Sequence, residues 1–299
     1  MMLEYDIIVI GGGSGGLTAA AGAANMGANA ALIDDQPGFG GDCLHFGCVP
    51  SKAFITAAKE VHAVYKGAAE FGLTVSGNVL FERAIERVKE AIDEIQESDS
   101  DERFEELGVD IFRGKGAFQG EYTVTINGEN PIKGKRIVIS TGSRPNVPPI
   151  DGVENVSYIT NETIFNLDQL PQSVVFIGGG PVGLELAQSL SRFGSDVTVL
   201  ETSNSIFKKE DHDIIPFATK ALEKELTFVF NVQVTGISEQ HGKKVIAYKV
   251  NGEEIAIESD AVMMSAGRKP NTERLNLEGA GVETNKGFIK VNASLQSNK

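Results

Sequence analysis

Short unbroken apolar runs punctuate this chain and alternate with stretches of helical period. Ile7-Ile8-Val9-Ile10, Ala31-Leu32-Ile33, Val174-Val175-Phe176-Ile177 and Thr198-Val199-Leu200 are such runs. Their length and lack of alternation suit strands buried on both faces of a parallel sheet. Between the last two, Leu184, Leu186, Ala187, Leu190 and Phe193 keep helical spacing, and Gly194 stands where a C-terminal cap belongs. Gly27 holds the same place after an Ala-rich stretch near the N-terminus. Phe81, Ile85, Val88, Ile92 and Ile95 recur three and four apart among charges, which predicts an amphipathic helix with a solvated face. Strand-like pieces follow at Asp110 to Phe112, Tyr122 to Ile126 and Ile137 to Ser140, with Asn127-Gly128 as a hairpin signal. Pro145, Pro148, Pro149 and Asp151-Gly152 make a linker-like break.

The pattern contains a duplication. The 28 residues from Ile7 to Asp34 recur without a gap 167 positions later, from Val174 to Glu201. Each copy reads as strand, glycine turn, helix, strand and terminal carboxylate. A dinucleotide needs a helix N-terminus whose N–H groups face the pyrophosphate, and a backbone that can come close to it. Gly11, Gly13 and Gly16 with Asp34 meet this requirement, as do Gly178, Gly180 and Gly183 with Glu201. A lone G-x-G-x-x-G is weak; with a strand before, a helix after and an acid at the next strand end it is much stronger. The expected fold is α/β: two doubly wound, Rossmann-like dinucleotide-binding domains, the first with an added β-meander. The expected boundaries are residues 1–149 for the first domain, 150–270 for the second, and 271–299 as the start of a return into the first. At Glu201 a 2′-phosphate would meet a carboxylate with no Arg before Phe207, which favours NAD over NADP, although Lys208 and Lys209 follow closely.

Composition narrows the partners. With 299 residues a two-domain chain needs no disulfide staples. A net charge of −14 repels a phosphate backbone, so neither nucleic acid nor an anionic membrane surface is an expected partner. No apolar stretch approaches the ~20 residues that cross a bilayer. The N-terminus has no Lys or Arg ahead of Ile7 to Ile10, so it lacks the basic region of a signal peptide. The expected location is cytoplasmic.

In such a chain the 2 cysteines, five residues apart, stand out. They lie in Gly40-Gly41-Asp42-Cys43-Leu44-His45-Phe46-Gly47-Cys48-Val49-Pro50-Ser51-Lys52, before the helical texture of Ala53, Ala57, Ala58 and Val61. A helix N-terminus and the nearby Lys52 lower a thiol pKa. Buried structural cysteines are common, and a metal would want more ligands than Cys43, Cys48 and His45 supply. His45 itself reads as a packing or solvent-facing residue. Beside a dinucleotide loop, the spacing favours a small reducible ring over these alternatives.

The segment GGDCLHFGCVPSK closely resembles the redox-disulfide signature of the class I pyridine nucleotide-disulfide oxidoreductases. These are the flavin disulfide reductases grouped with dihydrolipoamide dehydrogenase, mercuric reductase and glutathione reductase. Thr141-Gly142-Ser143-Arg144-Pro145 and Ala266-Gly267-Arg268-Lys269-Pro270-Asn271 match two smaller motifs of the same family. The resemblance implies FAD at the first loop, through Gly11, Gly13, Ser14, Gly15, Gly16, Asp34, Gly41, Asp42, Lys52, Gly116, Thr141 and Gly142. It implies NAD at the second, through Gly178, Gly180, Pro181, Val182, Gly183, Glu201, Val234 and Gly267. Cys48 is then the thiol beside the flavin and forms the charge-transfer thiolate, and Cys43 is the interchange thiol that attacks substrate. Lys52 lies near the flavin, with Glu185 as the counter-charge a buried lysine needs. The implied activity passes electrons from NADH through FAD to a Cys43–Cys48 disulfide. The substrate is then a small disulfide, a dithiol or a thiol-binding species, and the full-length parent a homodimer.

The sequence also departs from the family. Asp42 stands for a small hydroxyl residue, Asp34 for the usual Glu, and Pro181 for a bulkier residue over the nicotinamide pocket. Family members continue with a further flavin-contacting segment and a dimerisation domain with a His-Glu pair, neither of which is in these 299 residues, and none of His45, His62, His212 and His241 matches that base. Two other readings follow: a shortened nucleotide-binding module without turnover, and a flavin NADH oxidase.

Overall fold

The structure is a computed structural model that describes residues 2–299. The chain opens with β1 (Leu3–Ile10), α1 (Ser14–Asn25) and β2 (Ala30–Asp34), then a five-residue helix, α2 (Gly41–His45). Two long helices follow, α3 (Cys48–Phe71) and α4 (Phe81–Gln96), and then α5 (Asp101–Glu106) and β3 (Val109–Arg113). Next come β4 (Gly116–Gly120), β5 (Thr123–Ile126), β6 (Glu129–Ile139) and the short β7 (Ser143–Pro145). The second copy supplies β8 (Ser173–Ile177), α6 (Pro181–Phe193) and β9 (Asp196–Glu201). Then follow α7 (Ile214–Leu222), β10 (Thr227–Phe230), β11 (Gln233–Gln240), β12 (Lys243–Val250), β13 (Glu253–Ser259) and β14 (Ala261–Met264).

Two compact units result. One comprises residues 1–48, 92–144 and 269–299, the other residues 49–91 and 145–268. In the first, the sheet order is β3-β2-β1-β6-β5-β4 among the described residues. β1 runs parallel to β2 and β6, and β2 parallel to β3. β6 does double duty: it pairs in parallel with β1 and turns back as a hairpin with β5. Asn127 and Gly128 make that turn with φ of 55° and 80°, the left-handed pair a two-residue hairpin requires. The strands are apolar on both faces because both are covered. Val9, Leu32 and Val109 pack with Leu17 and Ala20 of α1. Ile8, Ile10 and Ile33 pack with Phe118, Val124 and Ile132 of the meander and with Leu275 and Leu277.

The second unit repeats the device with the order β10-β9-β8-β14, all parallel. It has its own antiparallel meander, β11-β12-β13, beyond the single meander expected in the first domain. One face of its sheet packs Val175, Ile177 and Leu200 against Ile237, Ile246 and Tyr248. Elsewhere Phe54 of α3, Phe81 of α4 and Phe193 of α6 form an aromatic cluster, with ring centroids 5.0 Å apart for Phe54–Phe193 and 5.6 Å for Phe81–Phe193. That cluster explains why residues 49–91 belong with this unit.

Candidate active site

Both glycine turns close in the same way. Gly11 and Gly178 have φ of 108° and 107°, a region that favours glycine. A Cβ on Gly11 would lie 2.4 Å from the Ser140 carbonyl oxygen, and one on Gly178 would lie 2.6 Å from that of Ser265. The third glycine of each loop packs the helix onto the turn: a Cβ on Gly16 would fall 1.8 Å from the Gly11 oxygen, and one on Gly183 would fall 2.9 Å from that of Gly178. The middle glycines face open space. Nothing lies within 4 Å of a Cβ on Gly180, and only the Gly41 Cα, at 3.8 Å, meets one on Gly13. Ser14 and Gly15 are exposed at the start of α1, as are Pro181 and Val182 at the start of α6. A dinucleotide fits this arrangement, since the backbone is bare where a pyrophosphate must come close.

The two acids are held alike. Asp34 accepts from the Gly12 N–H and, at 2.7 Å, from the Gln36 N–H. Glu201 accepts from Gly179 at 2.7 Å and from the Ser203 N–H at 2.9 Å, and from the Ser203 and Thr202 hydroxyls. Burial pushes the Glu201 carboxyl up, but those hydrogen bonds outweigh it and hold the group below the usual carboxylate range.

Two serines, whose turn-closing role the sequence did not suggest, complete the turns. The Ser140 hydroxyl donates to the Ile10 and Gly11 carbonyls at 3.0 and 3.1 Å. The Ser265 hydroxyl donates to those of Ile177 and Gly178 at 3.1 and 2.6 Å. They follow β6 and β14, the strands that flank β1 and β8, immediately ahead of Thr141-Gly142 and Ala266-Gly267.

Cys43 lies in α2 and Cys48 opens α3, with Phe46-Gly47 between them. A Cβ on Gly47 would meet the Asp42 carbonyl oxygen at 2.8 Å, while the Phe46 N–H donates to that oxygen at 2.9 Å, so the turn closes tightly. The thiols are hydrogen-bonded to each other. That bond, then burial, and also the charge of Asp42, push the Cys43 thiol up to about 11. This corrects the expectation that a helix start and Lys52 depress it: Cys43 sits inside α2, and its thiol is tied to a second sulfur. The start of α2 packs on the first glycine loop. Gly40 N–H donates to the Gly12 carbonyl at 2.9 Å, and Gly40 bridges Gly13.

The other expected residues distribute by unit. Gly116 is buried against Ile10 and Ile33 at the start of β4. The Thr141 and Gly142 carbonyls accept from Asn271, both at 3.0 Å. In the second unit Lys52 and Glu185 pair at 3.5 Å, with side chains 67% and 49% exposed. The counter-charge is therefore present, but the lysine is not buried. Gly267 accepts from the Asn146 N–H at 2.9 Å, and Val234 lies at an irregularity of β11, half-buried against the core of its unit. Among the described residues no three His, Cys, Asp or Glu group as metal ligands, and no helix is long and apolar enough to cross a membrane.

Two glycine turns of the same build, the first with the start of the cysteine-bearing α2 packed on it, are the features that bring this chain to its family. The chain belongs to the pyridine nucleotide-disulphide oxidoreductase family, whose model matches residues 5–299. It is 35% identical over 301 residues to the mercuric reductase of Staphylococcus aureus, covering 98% of this chain and 54% of that protein. It is 34% identical over 305 residues to the dihydrolipoyl dehydrogenase of Acholeplasma laidlawii, covering 100% of this chain and 88% of that one. Among solved structures, the HOCl-induced flavoprotein disulfide reductase RclA from Escherichia coli matches with a TM-score of 0.85 and 27% identity, over 98% of this chain and 64% of that one. The chain thus spans little more than half the length of the mercuric reductase it matches.

Proposed function

We propose that this chain is the nucleotide-binding and thiol-bearing part of an FAD-dependent oxidoreductase that moves electrons from NADH to a Cys43–Cys48 disulfide. The observation that supports this best is the packing of α2 on the first loop, through Gly40–Gly12 and Gly40–Gly13, with the two thiols in hydrogen-bond contact. FAD, when bound, takes up a hydride and supplies an electron pair to a sulfur–sulfur bond. The residues do the rest. The Gly11–Gly16 loop and the start of α1 hold the pyrophosphate, and Asp34 holds the adenosine ribose. The Gly178–Gly183 loop does the same for the nicotinamide nucleotide. Glu201 selects NADH over NADPH, because a 2′-phosphate would meet a carboxylate already fixed by Gly179 and Ser203. Cys43 is the thiol that engages a small disulfide, dithiol or thiol-binding substrate.

Reductive titration of the FAD-loaded chain tests this. Uptake of four electrons per chain, falling to two in Cys43→Ser, is the expected result; two in both overturns it. The span of 54% of the mercuric reductase favours a second reading, a part that binds and accepts electrons without turnover. Four-electron uptake without NADH-driven disulfide reduction selects that reading.

A further inference from the structure

α2 has five residues, far below the roughly 12–15 that even a favourable isolated helix needs in water. Its place is therefore set by tertiary ties. At its start, Gly40 is fixed to Gly12 and Gly13. Within it, Leu44 is buried. At its end, the His45 imidazole Nε2 lies 3.0 Å from the Phe39 carbonyl oxygen. A carbonyl only accepts, so Nε2 carries the hydrogen and donates. Phe39 is itself immobilised. Its ring is fully buried, meets Phe104 edge-on at 5.7 Å, and lies under the Arg113 guanidinium at 3.9 Å. Its carbonyl takes a second hydrogen bond, from Gln96 Nε2 at 3.2 Å. His45 thus ties the last residue of α2 to the residue just ahead of the helix cap, with Cys43 at the centre of the closed loop.

We propose that His45 is a positioning residue for the thiol pair: by donating to the Phe39 carbonyl it holds α2 so that Cys43 faces Cys48, which raises the effective concentration of one sulfur at the other. This rests on the reading of Cys43 and Cys48 as a redox pair. The step affected is ring closure. The pair loses two protons and two electrons as its two S–H bonds break and the Sγ–Sγ bond forms, and glutathione disulfide accepts them as its own S–S bond breaks to give two glutathione thiols.

The test equilibrates the full chain in glutathione buffers, followed by acid quenching, alkylation and mass spectrometry of the Cys43–Cys48 peptide. His45→Phe keeps a ring and removes the donor. Loss of one net hydrogen bond should lower the closure constant about five- to ten-fold, which for ten-fold raises the two-electron potential by about 30 mV. His45→Gln keeps a terminal N–H at similar reach and should stay within about two-fold of the parent. Gln96→Ala, which removes the other donor to the same carbonyl, should also stay within about two-fold. A His45→Phe constant equal to the parent's overturns the inference, as does His45→Gln or Gln96→Ala falling as far as His45→Phe. Nitrogen-15 NMR of the unmodified chain needs no variant: an Nε2–H tautomer is expected, and Nδ1–H overturns the inference. If the parent itself forms no Cys43–Cys48 disulfide, the redox-pair reading falls instead.

Discussion

Cys43 shows how a single neighbour overrides a helix-end effect. Its thiol donates to Cys48 and is partly buried, so its proton leaves only near pH 11, against an ordinary value of 9.0. In the reduced chain, alkylation of Cys43 by iodoacetamide should still be rising above pH 10. Cys48→Ala, which removes the acceptor, should lower the midpoint by about one unit or more; mass spectrometry that resolves the two sites checks both. Because the folded value is the raised one, the stability tied to this proton is complete below pH 9 and is lost as pH climbs through about 11. Glu225 has the opposite sign. Burial pushes its carboxyl up, but hydrogen bonds from Arg192 at 2.6 and 2.9 Å outweigh this and hold it below 4.5. Its stabilising effect is therefore present above that value and lost as pH falls through the depressed one. Both side chains are less than one-fifth exposed, 19% for Arg192 and 18% for Glu225. Arg192→Met should therefore cost about 2 kcal/mol at neutral pH, with a smaller loss of stability on acidification, measured by urea unfolding at pH 7 and pH 4.

At the scale of elements, the glycine loops separate what holds the fold from what holds a ligand. Gly16→Ala places a Cβ 1.8 Å from a backbone oxygen, so the turn must open; FAD retention should fall by more than ten-fold, with a lower melting temperature. Gly180→Ala meets nothing within 4 Å, and its φ of −74° suits any residue. Stability should stay within about 0.5 kcal/mol while NADH affinity drops about ten-fold. Equal loss of stability and affinity would show that Gly180 serves the fold alone. These loops were legible in the sequence because the strand, turn, helix and acid repeat without a gap. The turn-closing role of Ser140 and Ser265 was not. The two serines play one role in both units but lie 125 residues apart, because the first copy carries α2 to α5 between its acid and β3 where the second has the single short α7, so no ungapped repeat of 167 pairs them. Each stands one residue outside a small motif, where only strand order brings it to the turn. The Arg113–Phe39 contact was hidden for the same reason, since it joins residues 74 positions apart through the β2–β3 pairing.

At the scale of the whole molecule, periodicity identified the buried parallel strands and the amphipathic α4, because burial on one or two faces leaves a direct mark on residue order. It did not reveal β4 or the second meander, whose Gln233–Ser259 strands carry charges on their open faces and little continuous apolar signal. Nor did it reveal that residues 49–91 pack with the second unit. That depends on Phe54 and Phe81 meeting Phe193, a contact set by rings far apart in sequence. The duplication still has a consequence that can be measured. Each cradle is closed inside its own unit: Gly11–Gly16, Asp34 and Ser140 in the first, Gly178–Gly183, Glu201 and Ser265 in the second. Changes at sites that share no partner add, usually to within about 0.5 kcal/mol. Gly16→Ala should therefore impair FAD binding and leave the NADH dissociation constant within about two-fold, while Gly180→Ala does the reverse. The double variant should show the product of the two single effects. Titration of each variant, by flavin fluorescence for FAD and calorimetry for NADH, decides the matter: a ten-fold loss of NADH affinity in Gly16→Ala would mean that the second cradle is not complete on its own.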